Sequence, residues 1–248
     1  MRRALAALLL AAASAPAAAV ELELAYTEEF LTNGYANWRT VGVGAAWVAG
    51  ERTAIGASAR DVQRFDLNDL ELAASASGPV AERWVLGGEA SACPTHAFLP
   101  VAALGAFVQA DAGAGVLLTA GGRWARYEAA GGGSSPVVLR VGAEAYWGAF
   151  RASWTGFLTT VAGAWGASQR ASLDLFYGER GRLGVAMNMG RELESAPGLL
   201  VVTDVLGVAV AGRHDLDADW SLVWEVGAQR QGELYTRTGA RLGVRRRF

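Results

Sequence analysis

At 248 residues, with 22 basic residues against 24 acidic ones, the chain is long enough for one sizeable domain, and its charge gives no reason to propose nucleic acid as a partner. Every basic residue is Arg. Cys93 is the lone cysteine, which excludes an intramolecular disulfide, and the two histidines, His96 and His214, lack the neighbouring ligands of a zinc site.

The first segment, Met1-Arg2-Arg3, the apolar run Ala4 to Ala13 and then Ala17-Ala18-Ala19, has the basic, apolar and small-residue parts of a secretory signal peptide. Residues 1–19 are therefore expected to be removed, leaving 20–248 as one domain. The leader holds two Arg and no acid, so the remainder carries 20 basic against 24 acidic residues, about −4 in formal charge. Past the leader no apolar run approaches the roughly 20 residues of a spanning helix. A chain that crosses a membrane without one must do so as a closed barrel, because lipid cannot satisfy an open backbone edge.

From Val20 onward the hydrophobic period is two. Val137, Leu139, Val141, Ala143, Ala145 and Trp147 alternate with Val138, Arg140, Gly142, Glu144 and Tyr146. Phe150, Ala152, Trp154 and Leu158 alternate with Arg151, Ser153, Thr155 and Thr159. Trp220, Leu222, Trp224, Val226 and Ala228 alternate with Ser221, Val223, Glu225, Gly227 and Gln229. One face is aliphatic or aromatic and the other polar, charged or Gly, as in a barrel with lipid outside and a polar interior. A soluble sandwich alternates too. The recurrence of Trp near segment ends (Trp38, Trp84, Trp124, Trp147, Trp154, Trp220) favours the membrane barrel, whose interfaces carry aromatic girdles.

Turn signals fall at Thr32–Gly34, Gly50–Arg52, Asp66–Asp69, Gly78-Pro79, Pro94-Thr95, Asp111–Gly115, Gly131–Pro136, Gly148, Gly163–Gly166, Gly178–Gly181, Glu192–Pro197, Asp215–Asp219 and Gln231-Gly232. They predict an all-β, antiparallel up-and-down transmembrane barrel of about fourteen strands, or about twelve if two short segments are loops. The last strand places Thr238, Ala240, Leu242, Val244 and Phe248 on one face and Arg237, Arg241 and Arg245 on the other. Its final Phe248 resembles the carboxyl-terminal aromatic by which bacterial outer-membrane barrels are recognised for assembly. Together with the leader, this places the chain in the cell outer membrane, with membrane lipid and the barrel-assembly machinery as its expected partners.

Chemistry is sparse. His214 has Asp215, Asp217 and Asp219 beside it, but in a polar turn; Asp217, Asp219 and Glu192 lack the loop grammar of a calcium site, and Gly131–Gly133 precedes no Lys-Ser/Thr. No catalytic, metal or cofactor site is read from the chain. The one constellation is the polar face of the strands, on which Arg39, Arg60, Glu89, Arg123, Arg140, Glu144, Arg151, Arg170, Asp174, Glu225, Arg237, Arg241 and Arg245 are expected to point inward, Arg outnumbering acid. Such a set suits a weakly anion-preferring channel or a cleft for an anionic headgroup. Equally it suits an interior braced by ion pairs across adjacent strands, such as Glu144 with Arg151.

Several blocks resemble the YaiO family of outer-membrane β-barrel proteins: Asn37-Trp38-Arg39, Phe98-Leu99-Pro100, Gly121–Tyr127 (GGRWARY), Glu144–Trp154 (EAYWGAFRASW) and the close Leu242–Phe248. The likeness implies an outer-membrane barrel associated with surface polysaccharide export and implies no catalytic residues. The chain departs from the family around Asp174-Leu175-Phe176-Tyr177, where an Arg followed by aromatics is more usual. The leading functional reading is a non-enzymatic barrel, a narrow channel or an accessory in envelope or polysaccharide transport with a partner not identified. The alternatives are a membrane-embedded enzyme acting on lipid or saccharide through His96 or His214, and a purely structural docking barrel.

Overall fold

The computed structural model describes residues 20–49, 52–128, 133–196 and 199–248. The leader, the Gly50-Glu51 turn, Gly131-Gly132 and Pro197 lie outside the described residues. From Val20 the chain is a meander of fourteen strands: β1 (Val20–Leu31), β2 (Trp38–Ala49), β3 (Thr53–Arg64), β4 (Leu67–Ala81), β5 (Trp84–Ala92), β6 (Ala102–Gly113) and β7 (Val116–Arg126). It continues through β8 (Val137–Trp147), β9 (Phe150–Val161), β10 (Ala164–Tyr177), β11 (Gly181–Ala196), β12 (Leu199–Asp215), β13 (Trp220–Gln231) and β14 (Tyr235–Arg247). Each strand pairs antiparallel with the next, and β1 pairs with β14 to close the barrel. Closure leaves no edge with unpaired N–H and C=O groups, the condition for standing in lipid.

The register sorts the side chains into two faces. Leu24 lies opposite Val244 and Val43, whereas Glu23 lies opposite Arg245 and Gly44. Arg213 on β12 reaches Glu21 on β1 at 3.2 Å although β13 and β14 stand between them in the wall, so the Glu21 and Glu23 face is the interior. The opposite face carries Leu104, Leu139, Val141 and Val208, each more than half exposed. A contiguous apolar belt of this extent is foreign to a soluble monomer. Moving each such side chain from water into hydrocarbon gains about 1.5–3 kcal/mol, so the belt faces lipid.

Outward aromatics gather at both ends. Trp84, Trp147, Phe150, Tyr177 and Trp220 stand at the end where Val20 and Phe248 lie, and Phe30, Trp124 and Trp165 at the other. Two expected girdle residues do not join them. Trp38 shares a face with Glu29 and is buried in the lumen, and Trp154 sits part-way along β9, where its Nε1 donates to Gln169 Oε1 at 3.0 Å on the lipid side.

Three turn expectations shift. Gly78-Pro79 is no break: β4 runs on to Ala81 and absorbs Pro79, which lacks an N–H for the ladder, with a register shift between Pro79 and Ala81. The β3–β4 turn is only Phe65-Asp66, both at positive φ, and Asp69 is already in strand. Glu192 lies within β11, which continues to Ala196.

Candidate lumenal site

Alternation carries most of the expected charges inward, and the register shows whom they meet. Arg151 on β9 takes both neighbours, Glu144 on β8 at 3.5 Å and Asp174 on β10 at 2.8 Å, and Arg182 on β11 approaches Asp174 at 3.8 Å. Arg60 pairs with Glu71, and Arg123 lies 3.7 Å from Glu89. Arg237 holds Glu29 at 3.1 Å, Arg241 pairs with Glu23, and Arg245 bridges Glu21 at 3.1 Å and Glu23 at 2.6 Å. Arg140 stacks over Phe107 at 5.3 Å. Arg170 and Glu225 line a cavity near mid-barrel. Phe248 lies outside this set; its N–H donates to Val20 O at 2.9 Å, and Arg246 covers its ring at 4.5 Å.

Arg39 is a correction. Its partner across β1–β2 is Glu28, and both stand on the outer face beside Tyr26 at the rim far from Val20. Its charge alone suggested an inward side chain, but Trp38 takes the inward position, and the alternation of the strand puts Arg39 outside. The expected excess of Arg over acid inside is also corrected. Glu21, Glu23, Glu29, Asp69, Glu71 and Asp215 share the inner face and match the arginines. The signal for them was present in β1, where Leu22, Leu24 and Tyr26 alternate with Glu21 and Glu23.

The far mouth is narrowed by side chains. Trp38, Phe65, Tyr235 and Tyr35 form an edge-to-face cluster with ring centroids 5.3–6.1 Å apart. Arg64 and Arg237 lie over the Trp38 ring at 4.2 and 5.4 Å. Beside the cluster the β5–β6 connection folds onto Asp69, whose carboxylate accepts the N–H groups of Ala97, Phe98 and Leu99 at 2.7, 2.9 and 2.8 Å. Three charge-assisted bonds to one buried carboxylate hold that loop as a fixed element of the mouth. Cys93 is the first residue of this loop, and burial pushes its thiol pKa up, which keeps it in the unreactive form.

Long inward side chains lie over glycines of neighbouring strands. A Cβ at Gly184 would overlap Asp174, and one at Gly87 would overlap the Phe107 ring. These contacts leave small cavities along the lumen. One of about 330 Å³ is lined by Glu29, Phe157, Arg170, Asn188, Glu225 and Gln229 among others; one of about 300 Å³ by Glu23, Arg182, Arg213 and Arg245; one of about 250 Å³ by Phe107, Arg140, Thr155 and Phe157. Neither histidine faces these cavities: His96 Nδ1 lies 3.1 Å from Pro94 O, and His214 is on the outer face with its Nδ1 3.3 Å from the Tyr177 hydroxyl. Among the described residues no group of three or more His, Cys, Asp or Glu has the spacing of a metal site.

No family model matches the chain, and no curated protein does. Solved structures do. The CymD monoaromatic hydrocarbon channel aligns over 93% of this chain and 88% of its own, with a TM-score of 0.60 at 8% identity. A loop L8 deletion mutant of OmpT, an outer membrane protein of Vibrio cholerae, covers 92% and 98% with a TM-score of 0.54 at 10% identity. An anion-selective porin from Comamonas acidovorans covers 93% and 98% with a TM-score of 0.50 at 11% identity. At such identities the likeness is one of fold: a closed antiparallel barrel of the outer-membrane type.

Proposed function

We propose that the chain is a non-enzymatic outer-membrane barrel acting as a narrow channel for small polar solutes, with the end bearing Val20 and Phe248 on the periplasmic side. The observation that carries this reading is the contrast between the two faces of the wall: hydrocarbon-like side chains outside, and inside a ladder of charged and amide groups lining cavities large enough for a small molecule. The porin and the hydrocarbon channel among the similar folds support it. The YaiO-like blocks lie on β2, the β5–β6 connection, β7, the β8–β9 hairpin and β14, and kinship with that family, with a place beside envelope polysaccharide transport, belongs to the same proposal. Phe248, in register at the end of the closing strand, is its assembly signal.

The test is single-channel recording of refolded protein in a planar bilayer, using material shown to be folded by its heat-dependent electrophoretic mobility. Small discrete steps are expected, growing larger in Trp38→Ala, which opens the aromatic cluster of the far mouth. Silence from verified barrels of both proteins would overturn the channel reading.

A further inference from the structure

Two adjacent rows of the wall from β6 to β9 border the lumenal cavity of about 250 Å³. The register sets Phe107, Gly121, Arg140 and Phe157 side by side on these four strands. The next inward row toward the Val20 end is Gln109, Thr119, Gly142 and Thr155. Its Gln109 amide donates to the Thr119 hydroxyl at 3.2 Å, which gives the cavity a fixed polar side. A Cβ at Gly121 would lie 2.8 Å from that of Phe107; without one, Arg140 reaches across β7 and stacks over the Phe107 ring at 5.3 Å. Phe157 flanks Arg140 on the other side, and all three side chains are half-buried. Among the described residues Arg140 makes no ion pair or hydrogen bond, so the N–H edge of its guanidinium is free. Glu144 lines the same cavity but is held by Arg151 at 3.5 Å and by the Tyr146 hydroxyl at 2.8 Å. Arg170 also lacks an ion pair, but its cavity, which shares the Phe157 wall, contains Glu29, Glu192 and Glu225 as well.

We infer that this cavity binds a small aromatic monocarboxylate, its carboxylate on the free edge of Arg140 and its ring against Phe157. The wall chooses among ligand classes. An inorganic anion would answer the guanidinium but leave the Phe157 ring facing water. A neutral hydrocarbon would cover the ring and leave the N–H donors of Arg140 unanswered. A ring bearing one carboxylate does both. The planar fork of Arg matches a carboxylate, and bonds between two charged groups are shorter and stronger than neutral ones. Aromatic rings gain from offset or edge-to-face contact beyond the area they cover, and Phe157 offers such a surface. Glu144 repels a second negative charge at the same cavity, so a monoanion is preferred to a dianion. The volume falls below the range of about 300–1,000 Å³ typical of drug-sized ligands, as a single ring requires.

The assignment rests on the channel reading for how the solute arrives, but its binding is measured separately. Calorimetric titration of refolded barrel in detergent micelles, corrected against empty micelles, is expected to show benzoate binding. Benzamide, which keeps the ring without the charge, should bind roughly tenfold or more weakly. Acetate, which keeps the charge without the ring, should do the same, and terephthalate should also bind more weakly than benzoate. Arg140→Gln, checked for folding by heat-shifted mobility, weakens benzoate roughly tenfold or more, and Arg140→Lys keeps part of the affinity. Phe157→Ala weakens benzoate while leaving acetate unchanged, and Arg39→Gln, on the outer face, alters neither. Folded wild-type protein that ignores benzoate, or takes acetate or benzamide equally well, overturns the assignment. So does a loss in Arg170→Gln that equals or exceeds the loss in Arg140→Gln, which would move the carboxylate to the neighbouring cavity. Benzoate binding to a barrel that passes no current would uphold the site and remove the channel; current without benzoate binding would do the reverse.

Discussion

Across β2 to β4 the inner wall is built from Thr40, Gly42, Gly44, Ala46, Ser58, Ala73, Ser75 and Ser77, with Arg60 and Glu71 as a single charged pair below Asp69. From β8 through β14 to β1 the same inner positions carry Arg140, Glu144, Arg151, Asp174, Arg213, Glu225, Arg241, Arg245, Glu23 and Glu21. Both walls obey one alternation and present the same apolar belt to lipid. The difference lies in what their inner residues must satisfy. A Ser or Gly asks little of its neighbours, whereas each buried carboxylate needs a partner placed within a few ångströms. Away from Asp69 and the Arg60–Glu71 pair the small-residue wall is therefore tolerant, and the charged wall is where most of the stabilising ion pairs are concentrated.

The largest effect that would break this contrast is at Asp174, whose side chain is only 7% exposed and is held by Arg151 and, more distantly, Arg182. Arg151→Ala strands that carboxylate and is expected to lower unfolding free energy by about 3 kcal/mol. Ser75→Ala on the other wall should stay within about 0.5 kcal/mol. Denaturant titration in lipid vesicles measures both, and equal losses would erase the distinction.

Glycines sharpen it next. Gly184→Ala drives a methyl into Asp174 and should cost about 1–3 kcal/mol. At Gly44 the nearest atom to a new Cβ is Ala57 O at 3.8 Å, so Gly44→Ala should change stability by less than about 0.5 kcal/mol.

Glu23→Gln comes third. It removes the carboxylate shared by Arg241 and Arg245 and should lower stability by about 1 kcal/mol at low salt, the difference between mutant and parent shrinking as salt is raised. A loss independent of salt would assign Glu23 to packing.

The smallest effect lies outside the walls, in the β12–β13 turn. The N–H groups of Trp220 and Asp219 hold the Asp217 carboxyl below its usual pKa. A carboxyl depressed on folding contributes its stability above its unfolded pKa and loses it as pH falls through the lower folded value. Asp217→Asn should therefore lower stability slightly at neutral pH and leave acid pH nearly unchanged, so that the acid limb flattens when denaturant titrations of mutant and parent are compared across pH.

Much of this architecture was legible in residue order. Period-two alternation and short polar breaks give the fourteen strands, and the expected pair of Glu144 with Arg151 forms between adjacent strands. What escaped reading depends on contacts that alternation does not encode. Trp38-Arg39 opens a strand where the face is set by pairing with Glu29 and Glu28, so which of the two points inward follows from register. The approach of Arg213 to Glu21 exists only once the barrel has closed, since the two lie on strands that never pair. The mid-barrel cavity is defined by the same closure. Arg170 and Glu225 could be placed inward, but that Glu225 loses Arg241, its neighbour in the register, depends on Glu23 claiming that guanidinium.

The seam between β1 and β14 has a consequence for how the molecule comes together. Residues 20–31 contain four Glu and no base, and residues 235–248 contain five Arg and no acid. In an extended chain these segments are the two most distant parts of the domain, and their union is the step with the greatest loop to close. Opposite charge at the two ends draws them together before any hydrogen bond forms, over a range set by the ionic atmosphere. Refolding should accordingly be fastest in dilute buffer and slow with added salt, a kinetic signature of a ring whose clasp is electrostatic.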